Sequence, residues 1–159
     1  MVTSKLDNSN SLLYGCPDTL LDRLQMVQNN AARLIHRKRQ GQGHITPLLL
    51  DLHWLPIEER IEYKICHIVH KCLNHQSAPL YLQNLVTPYQ PRRPLRSAES
   101  HRLDPPTVKQ KRAGERSFTH AAAKLWNQLP LQLKTCDKTD SFKSLLKTHL
   151  FKRRFKDYL

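Results

Sequence analysis

The feature that most constrains the fold is an apolar stripe in residues 57–72. Four isoleucines and a cysteine recur there at steps of three and four residues, with polar side chains between them: Ile57, Ile61, Ile65, Ile68 and Cys72 against Glu58, Glu59, Glu62 and Lys64. This spacing matches the 3.6-residue period of an α-helix and does not match a strand. Since its apolar side must be covered by other elements, we predict that this helix forms the centre of the core.

The same period predicts five more helical segments, each bounded by Pro, Gly or a capping residue. The first begins at Asp18 or Thr19, carries the stripe Leu20, Leu24, Val27, Ala31, Leu34 and Ile35, and ends in a basic run before Gly41. Short helices are predicted after Thr46 and Ala78. Two longer ones are predicted over Glu115–Leu129 and after the capping cluster at 139–141, the latter with the stripe Phe142, Leu145, Leu146, His149 and Leu150.

These patterns predict a mainly α fold, an irregular helical bundle of about five to six helices. Five of the ten prolines fall between Pro88 and Pro106, so the region near 88–110 is predicted to be irregular, with a short β-hairpin left open. We divide the chain into a leading segment (1–16), an N-terminal helical part (17–87), a Pro-rich linker or loop (88–110) and a basic C-terminal helical part (111–159). At 159 residues, these parts are expected to form one domain.

The charge of the chain is strongly positive and unevenly placed. There are 26 Lys and Arg against 13 Asp and Glu, a formal net charge of +13. Residues 109–159 alone carry 13 basic and 4 acidic side chains, whereas residues 43–91 carry 3 and 4. A basic excess confined to part of a chain favours a polyanionic partner such as nucleic acid.

We therefore predict that the basic runs contact phosphates of RNA or of an RNA–DNA duplex without reading sequence. The candidate residues lie at the end of the first helix, before the fifth helix and at the end of the last one: Arg33, Arg37, Lys38, Arg39, Lys109, Lys111, Arg112, Lys152, Arg153, Arg154 and Lys156. Two other interpretations stay open, a solvated helix face with a cationic tail and a basic helix at an anionic membrane surface. No apolar run approaches the about 20 residues that a membrane span requires.

The sequence offers little chemistry beyond binding. It has no Gly-flanked Ser elbow, no Gly-rich phosphate loop and no His-Glu-x-x-His helix, so we expect no enzyme activity and no cofactor. Cys66, His70, Cys72 and His75 lie close in sequence, but their spacing fits no zinc site, and we interpret them as one buried thiol and surface imidazoles. The four cysteines show no paired spacing, which favours reduced thiols and an intracellular protein, in nucleus or cytoplasm.

Eight short segments, in order, resemble a known family of proteins. They are Asn-Ser-Leu-Leu-Tyr-Gly (10–15), Leu-Gln-Met-Val-Gln-Asn-Asn-Ala-Ala-Arg-Leu-Ile (24–35), His-Ile-Thr-Pro (44–47), Leu-His-Trp-Leu-Pro-Ile (52–57), Ala-Pro-Leu-Tyr-Leu (78–82), Leu-Arg-Ser (95–97), Ala-Lys-Leu-Trp-Asn-Gln-Leu-Pro (123–130) and Ser-Phe-Lys-Ser-Leu-Leu-Lys-Thr-His-Leu-Phe (141–151). Together they resemble the region that follows the reverse-transcriptase palm in LINE-type, non-LTR retrotransposons. Asn8 and Ala123 stand where that family usually has tyrosine and proline.

The resemblance implies a thumb-side, C-terminal part of a polyprotein whose complete form nicks DNA and copies element RNA. The family's Ala-Asp-Asp polymerase motif lies upstream of the matching region, so no catalytic aspartate is carried over to this chain. We therefore expect a non-catalytic fragment, from a truncated element copy or a gene cut from one. The alternative that we retain is a docking module for the polymerase palm with no activity of its own.

Overall fold

A computed structural model describes residues 2–39, 41–74, 78–90, 101–107 and 114–158. Within these ranges there are eight α-helices and no named strand. The α-helices are α1 (Val2–Leu6), α2 (Asp18–Ile35), α3 (Thr46–Asp51), α4 (Ile57–Leu73), α5 (Leu80–Gln83), α6 (Phe118–Gln128), α7 (Leu131–Lys134) and α8 (Thr139–Arg154), with 3-10 helices at Asn10–Leu13 and Lys156–Tyr158. None of the described helices is long and apolar enough to cross a membrane.

The mainly α class and the irregular bundle are confirmed, and all six predicted helices are present. The structure adds two helices, α1 and α7, of five and four residues. Helices of this length make little more than one turn, so their apolar residues are too few to define a period. The equally short α5 was predicted with the help of the Ala78-Pro79 boundary before it.

Helix α4 is the centre of the larger core, as its isoleucine stripe predicts. Ile61, Ile65 and Val69 are all but fully buried, and α6 and α8 both pack against α4. Trp126 from α6 and Phe142 from α8 meet in this core with their rings 5.9 Å apart. Side chains of this size exclude water from the middle of the bundle and dominate its apolar burial.

Helix α2 buries only part of its predicted stripe, since Leu24 packs against the larger core and Ala31 is half-buried. Leu20, Val27 and Leu34 of the predicted stripe are exposed, Leu34 by 79%, whereas Gln28 and Ala32 are fully buried. The prediction was wrong for these three residues, because polar contacts also dock this helix. The side chain of Gln28 donates to the carbonyl of Leu55 at 2.8 Å, and Gln25 Oε1 accepts from the N–H of Ile57 at 2.9 Å, at the first residue of α4.

A smaller core joins the end of α2 to the end of α8. Ala32, Leu48, Leu49 and Phe155 form a second buried cluster, and Phe151 packs against both cores. Since Ala32 precedes Arg33 and Phe155 lies between Arg154 and Lys156, this cluster brings the basic ends of the two helices into one region.

The described ends of the Pro-rich region meet in a single antiparallel bridge between Pro88 and Leu103. Next to it, Tyr89 N–H donates to the carbonyl of Arg102 at 2.9 Å. Asn127 Oδ1 on α6 accepts from the N–H of Leu103 at 2.9 Å, and Asn127 Nδ2 donates to the Leu103 carbonyl at 3.0 Å. These two bonds hold the extended segment against α6. The rest of the region in which the sequence leaves a short β-hairpin open, residues 91–100 and 108–110, lies outside the described residues.

Candidate nucleic-acid interface

Arg33 has an internal role in the structure. Its guanidinium donates to the carbonyls of Gln42 at 3.2 Å and Gly43 at 3.3 Å, and reaches that of Arg39 at 3.5 Å. These bonds fold the loop after α2 back onto the helix end. Because its donors are directed at the backbone, Arg33 is a poorer phosphate contact than its position in the basic run suggests.

The rest of this run has its charged side chains at the surface. The side chains of Arg37, Lys38 and Arg39 are exposed and make no ion pair with any residue that the structure describes. Arg37 has a φ of 52°, in the left-handed region that ends helices, and so turns the chain sharply at this point. Three cations therefore project from one short turn.

The basic end of α8 divides into paired and unpaired residues. Arg153 contacts Glu62 at 2.6 Å and Arg154 contacts Glu59 at 3.7 Å, both on α4. Glu59 was expected on the wet side of its helix but is only 5% exposed, and burial raises its pKa while Arg154 lowers it. Arg154 thus compensates a buried carboxylate, and the unpaired cations here are Lys152 and Lys156.

The remaining three predicted contacts, Lys109, Lys111 and Arg112, lie outside the described residues. Of the other eight, three have internal partners and five are exposed without an ion pair to the described part of the chain. The five are Arg37, Lys38, Arg39, Lys152 and Lys156, and they lie at the two helix ends that the smaller core joins.

A second group of cations, which the sequence analysis missed, lies where α4 meets α8. Lys64 and Lys71 come from α4 and Lys143 and Lys147 from α8. Three of the four act on His67, because burial first and then the charges of Lys71, Lys143 and Lys64 lower the pKa of that imidazole to about 4. Their sequence spacings, seven and four residues, place each pair on one helix face. Only the packing of the two helices shows that these faces adjoin.

Lys64 and Lys147 also line a cavity of about 470 Å³ beside this group. Asn10 and His67 are among its lining residues, and Asn10 is 3% exposed. Within the described part of the chain, the buried Oδ1 of Asn10 and Nε2 of His67 have no hydrogen-bond partner.

The cysteine and histidine residues of α4 are more buried than the sequence suggests. Cys66 and Cys72 are both buried, and His70, expected at the surface, is 1% exposed. Its ring stacks on Phe142 at 4.1 Å and its Nε2 donates to the carbonyl of Cys136 at 2.6 Å. His75 lies outside the described residues, and no group of three metal-binding side chains occurs in those that are described.

No protein-family model, no curated protein and no solved structure matches this chain.

Proposed function

We propose that the chain is a non-catalytic, thumb-side region of a non-LTR retrotransposon reverse transcriptase that binds RNA or RNA–DNA duplex through phosphate contacts. The family assignment is supported by the eight ordered segments that resemble this region. The binding is supported by the position of the charge. A cation that has no carboxylate partner in its own chain can release counterions from a phosphate backbone, whereas an internally paired one gains less.

The observation that carries the proposal is the pairing of two basic helix ends over one small core. Ala32 and Phe155 are both buried in it, so the turn after α2 and the end of α8 present their unpaired cations from neighbouring positions. Cations spread over two rigid helix ends suit a regular backbone of phosphates. No aromatic residue is needed for such contacts, which makes them indifferent to sequence.

The test is the salt dependence of binding. We expect the affinity for a labelled RNA–DNA duplex to fall about 10³-fold or more between 50 and 200 mM salt, if six or more phosphates are contacted. The paired substitution Lys152→Gln with Lys156→Gln should lower the slope of log K against log salt by about 2, since each contact contributes about 0.9. Fluorescence anisotropy at four salt concentrations measures both quantities.

A matched control removes two charges elsewhere. Lys124→Gln with Lys138→Gln changes exposed lysines on α6 and at the start of α8, and is expected to leave the slope unchanged. Equal effects of the two double variants would show a diffuse attraction to the whole chain rather than a site. Absence of binding at 50 mM salt would refute the proposal.

A second candidate function is favoured by the exposed face of α2. Leu20, Val27 and Leu34 are exposed and follow one another at steps of seven residues, the repeat of one position in a coiled-coil heptad. Leu24 and Ala31 lie between them and are half-buried. An exposed apolar stripe of this kind marks a contact surface. We infer that its occupant is a helix of the polymerase palm, with carboxylates opposite Arg23, and that this face docks the chain onto the palm.

A further inference from the structure

A second basic surface lies where α4 packs against α8. It consists of Lys64 and Lys71 from α4 and Lys143 and Lys147 from α8, which we call the α4–α8 lysines. The charges of three of them act on His67, and the fourth, Lys147, lines the same cavity as His67 and Lys64. The four side chains therefore lie close together around one imidazole.

The positive charge of these lysines is largely uncompensated within the described part of the chain. Three of the four make no ion pair there, and Lys143 pairs with Asp140, which is 96% exposed. An ion pair this exposed stabilises little. The carboxylate of Asp7, which lines the cavity, is bound by Arg60 at 2.8 Å. Like charges held close together repel one another, so an anionic partner is favoured at this surface.

The spacing of the lysines suits a chain of phosphates rather than one small anion. Lys64 and Lys71 are two turns apart on α4, about 10 Å along the helix axis. A nucleic-acid strand carries one phosphate for about every 3.4 Å of its axis, so these two lysines span about three phosphates. A single phosphate or carboxylate group is too small to reach both.

The α4–α8 lysines and the basic end of α8 lie on opposite sides of that helix. Lys143 and Lys152 are nine residues apart in α8, which at about 3.6 residues per turn is two and a half turns. The exposed side chain of Lys152 therefore projects from the side of α8 opposite to Lys143. A double helix is stiff over tens of base pairs, so one duplex cannot bend around α8 to reach both sides.

We propose that the chain bridges two nucleic-acid segments, one bound at the two basic helix ends and the other at the α4–α8 lysines. The inference rests on the proposed nucleic-acid binding and goes beyond it, by adding a second site and a bridging function. Both sites contact phosphates and leave the bases unread. The helix ends hold five exposed cations without an ion pair, against three at the α4–α8 lysines, so the first duplex binds at the helix ends and the second at the lysines.

The experiment is a bridging assay. The protein is bound to a short RNA–DNA duplex on beads, unbound protein is washed away, and a second, fluorescent duplex is added. We expect the wild type to retain the fluorescent duplex on the beads. Each lost phosphate contact lowers affinity about 8-fold at 0.1 M salt relative to 1 M, so Lys64→Gln with Lys147→Gln should bind the second duplex about 60-fold more weakly.

Three controls isolate the effect. The first duplex, measured by fluorescence anisotropy with protein in excess, should bind the double variant as it binds the wild type. Lys124→Gln with Lys138→Gln removes two exposed lysines elsewhere and should keep the bridge. If Lys64→Gln with Lys147→Gln proves unfolded by circular dichroism, Lys71→Gln with Lys147→Gln takes its place.

A bridge could also arise from two chains that associate, each holding one duplex. Leu20→Gln with Leu34→Gln alters the exposed stripe of α2, the surface through which such a pair would form. We expect this variant to bridge as the wild type does. Loss of the bridge in this variant would assign it to paired chains and overturn the inference.

The remaining outcomes separate the two proposals. Failure to bind the immobilised duplex refutes the proposed function and this inference together. Binding of the first duplex without retention of the second by the wild type overturns the bridge alone. Equal retention by the lysine variant and its control also overturns it, because the second duplex is then held by the overall charge of the chain.

Discussion

Replacing Gln28 by alanine tests which face of α2 stabilises the fold. The side chain of Gln28 is fully buried and donates to the carbonyl of Leu55 at 2.8 Å. Its loss removes this hydrogen bond, a net of about 1 kcal/mol, and that carbonyl still accepts from Arg60 Nε at 2.9 Å. It also removes the bond that Gln28 Oε1 accepts from Gln25 Nε2 at 3.1 Å, but that donor keeps Asn29 Oδ1 as its acceptor at 2.8 Å. The unfilled space adds about 1–2 kcal/mol, since the surroundings collapse only partly. We expect the free energy of unfolding to fall by about 2–3 kcal/mol.

Thermal unfolding followed by circular dichroism measures this loss. For a chain of this size each kcal/mol lowers Tm by about 2–4 °C, so the expected shift is about 4–12 °C. The control is Val27→Ala, one residue earlier on the same helix, where the side chain is half-exposed. Surface substitutions of this kind change stability by about 0.5 kcal/mol or less.

The comparison has a clear refuting result. If Val27→Ala lowers Tm as much as Gln28→Ala, then α2 docks through its leucine and valine stripe, as the sequence pattern suggests. The exposed face would then belong to the core, and docking onto a palm would lose the observation that favours it.

Three further predictions concern other parts of the molecule. Leu20→Gln with Leu34→Gln should lower binding of the dye ANS by the folded chain and leave Tm within about 2–4 °C, whereas loss of cooperative unfolding would place these leucines in the core. Because burial lowers the pKa of His67 from 6.5 to about 4, the unfolded chain binds that proton first, and the contribution to stability present above pH 6.5 is lost toward pH 4. His67→Gln should therefore flatten the fall of Tm across this window, and an unchanged slope would contradict the burial of the imidazole. Burial also raises the pKa of the Cys66 and Cys72 thiols, so a thiol reagent at pH 8 should label Cys16 and Cys136 first. Mass spectrometry measures the order of labelling, and early labelling of Cys66 would contradict its place in the core.

The core of α4, α6 and α8 was predictable because its information is local. Ile61 and Ile65 on α4, and Leu146 and Leu150 on α8, recur with helical spacing and are all buried. An apolar period reports burial well when apolar contact is what holds the helix in place. Leu145 was also placed in that stripe, yet it is 49% exposed, because it lies at the edge of the face that meets α4.

The docking of α2 was not predictable, because long-range hydrogen bonds determine it. Pro56 precedes α4 and offers no side-chain oxygen to the orphan N–H groups of the first turn. Gln25, 32 residues earlier in the chain, supplies the missing acceptor to Ile57. Nothing in the sequence marks a helical glutamine as having such a partner. A prediction from apolar spacing alone therefore leaves Gln28 out of the buried face.

The candidate site, too, was only partly predictable from the sequence. Total charge and its concentration in the last third were evident from composition, but the acceptors of Arg33, Arg153 and Arg154 were not. Lys64 and Lys147 are 83 positions apart and line one cavity. Their meeting depends on α4 packing against α8, which no local pattern encodes.

The stripe of α2 and the basic helix ends use different residues and so do not compete. The exposed leucines and valine of α2 are not among the five exposed cations at the two basic helix ends. A helix seated on that stripe therefore uses none of the proposed phosphate contacts, and a duplex bound to the cations uses none of the stripe. It follows that Leu20→Gln with Leu34→Gln should preserve duplex affinity, and that Lys152→Gln with Lys156→Gln should preserve the ANS binding of the folded chain. The two proposals can therefore be tested separately, each with its own substitutions.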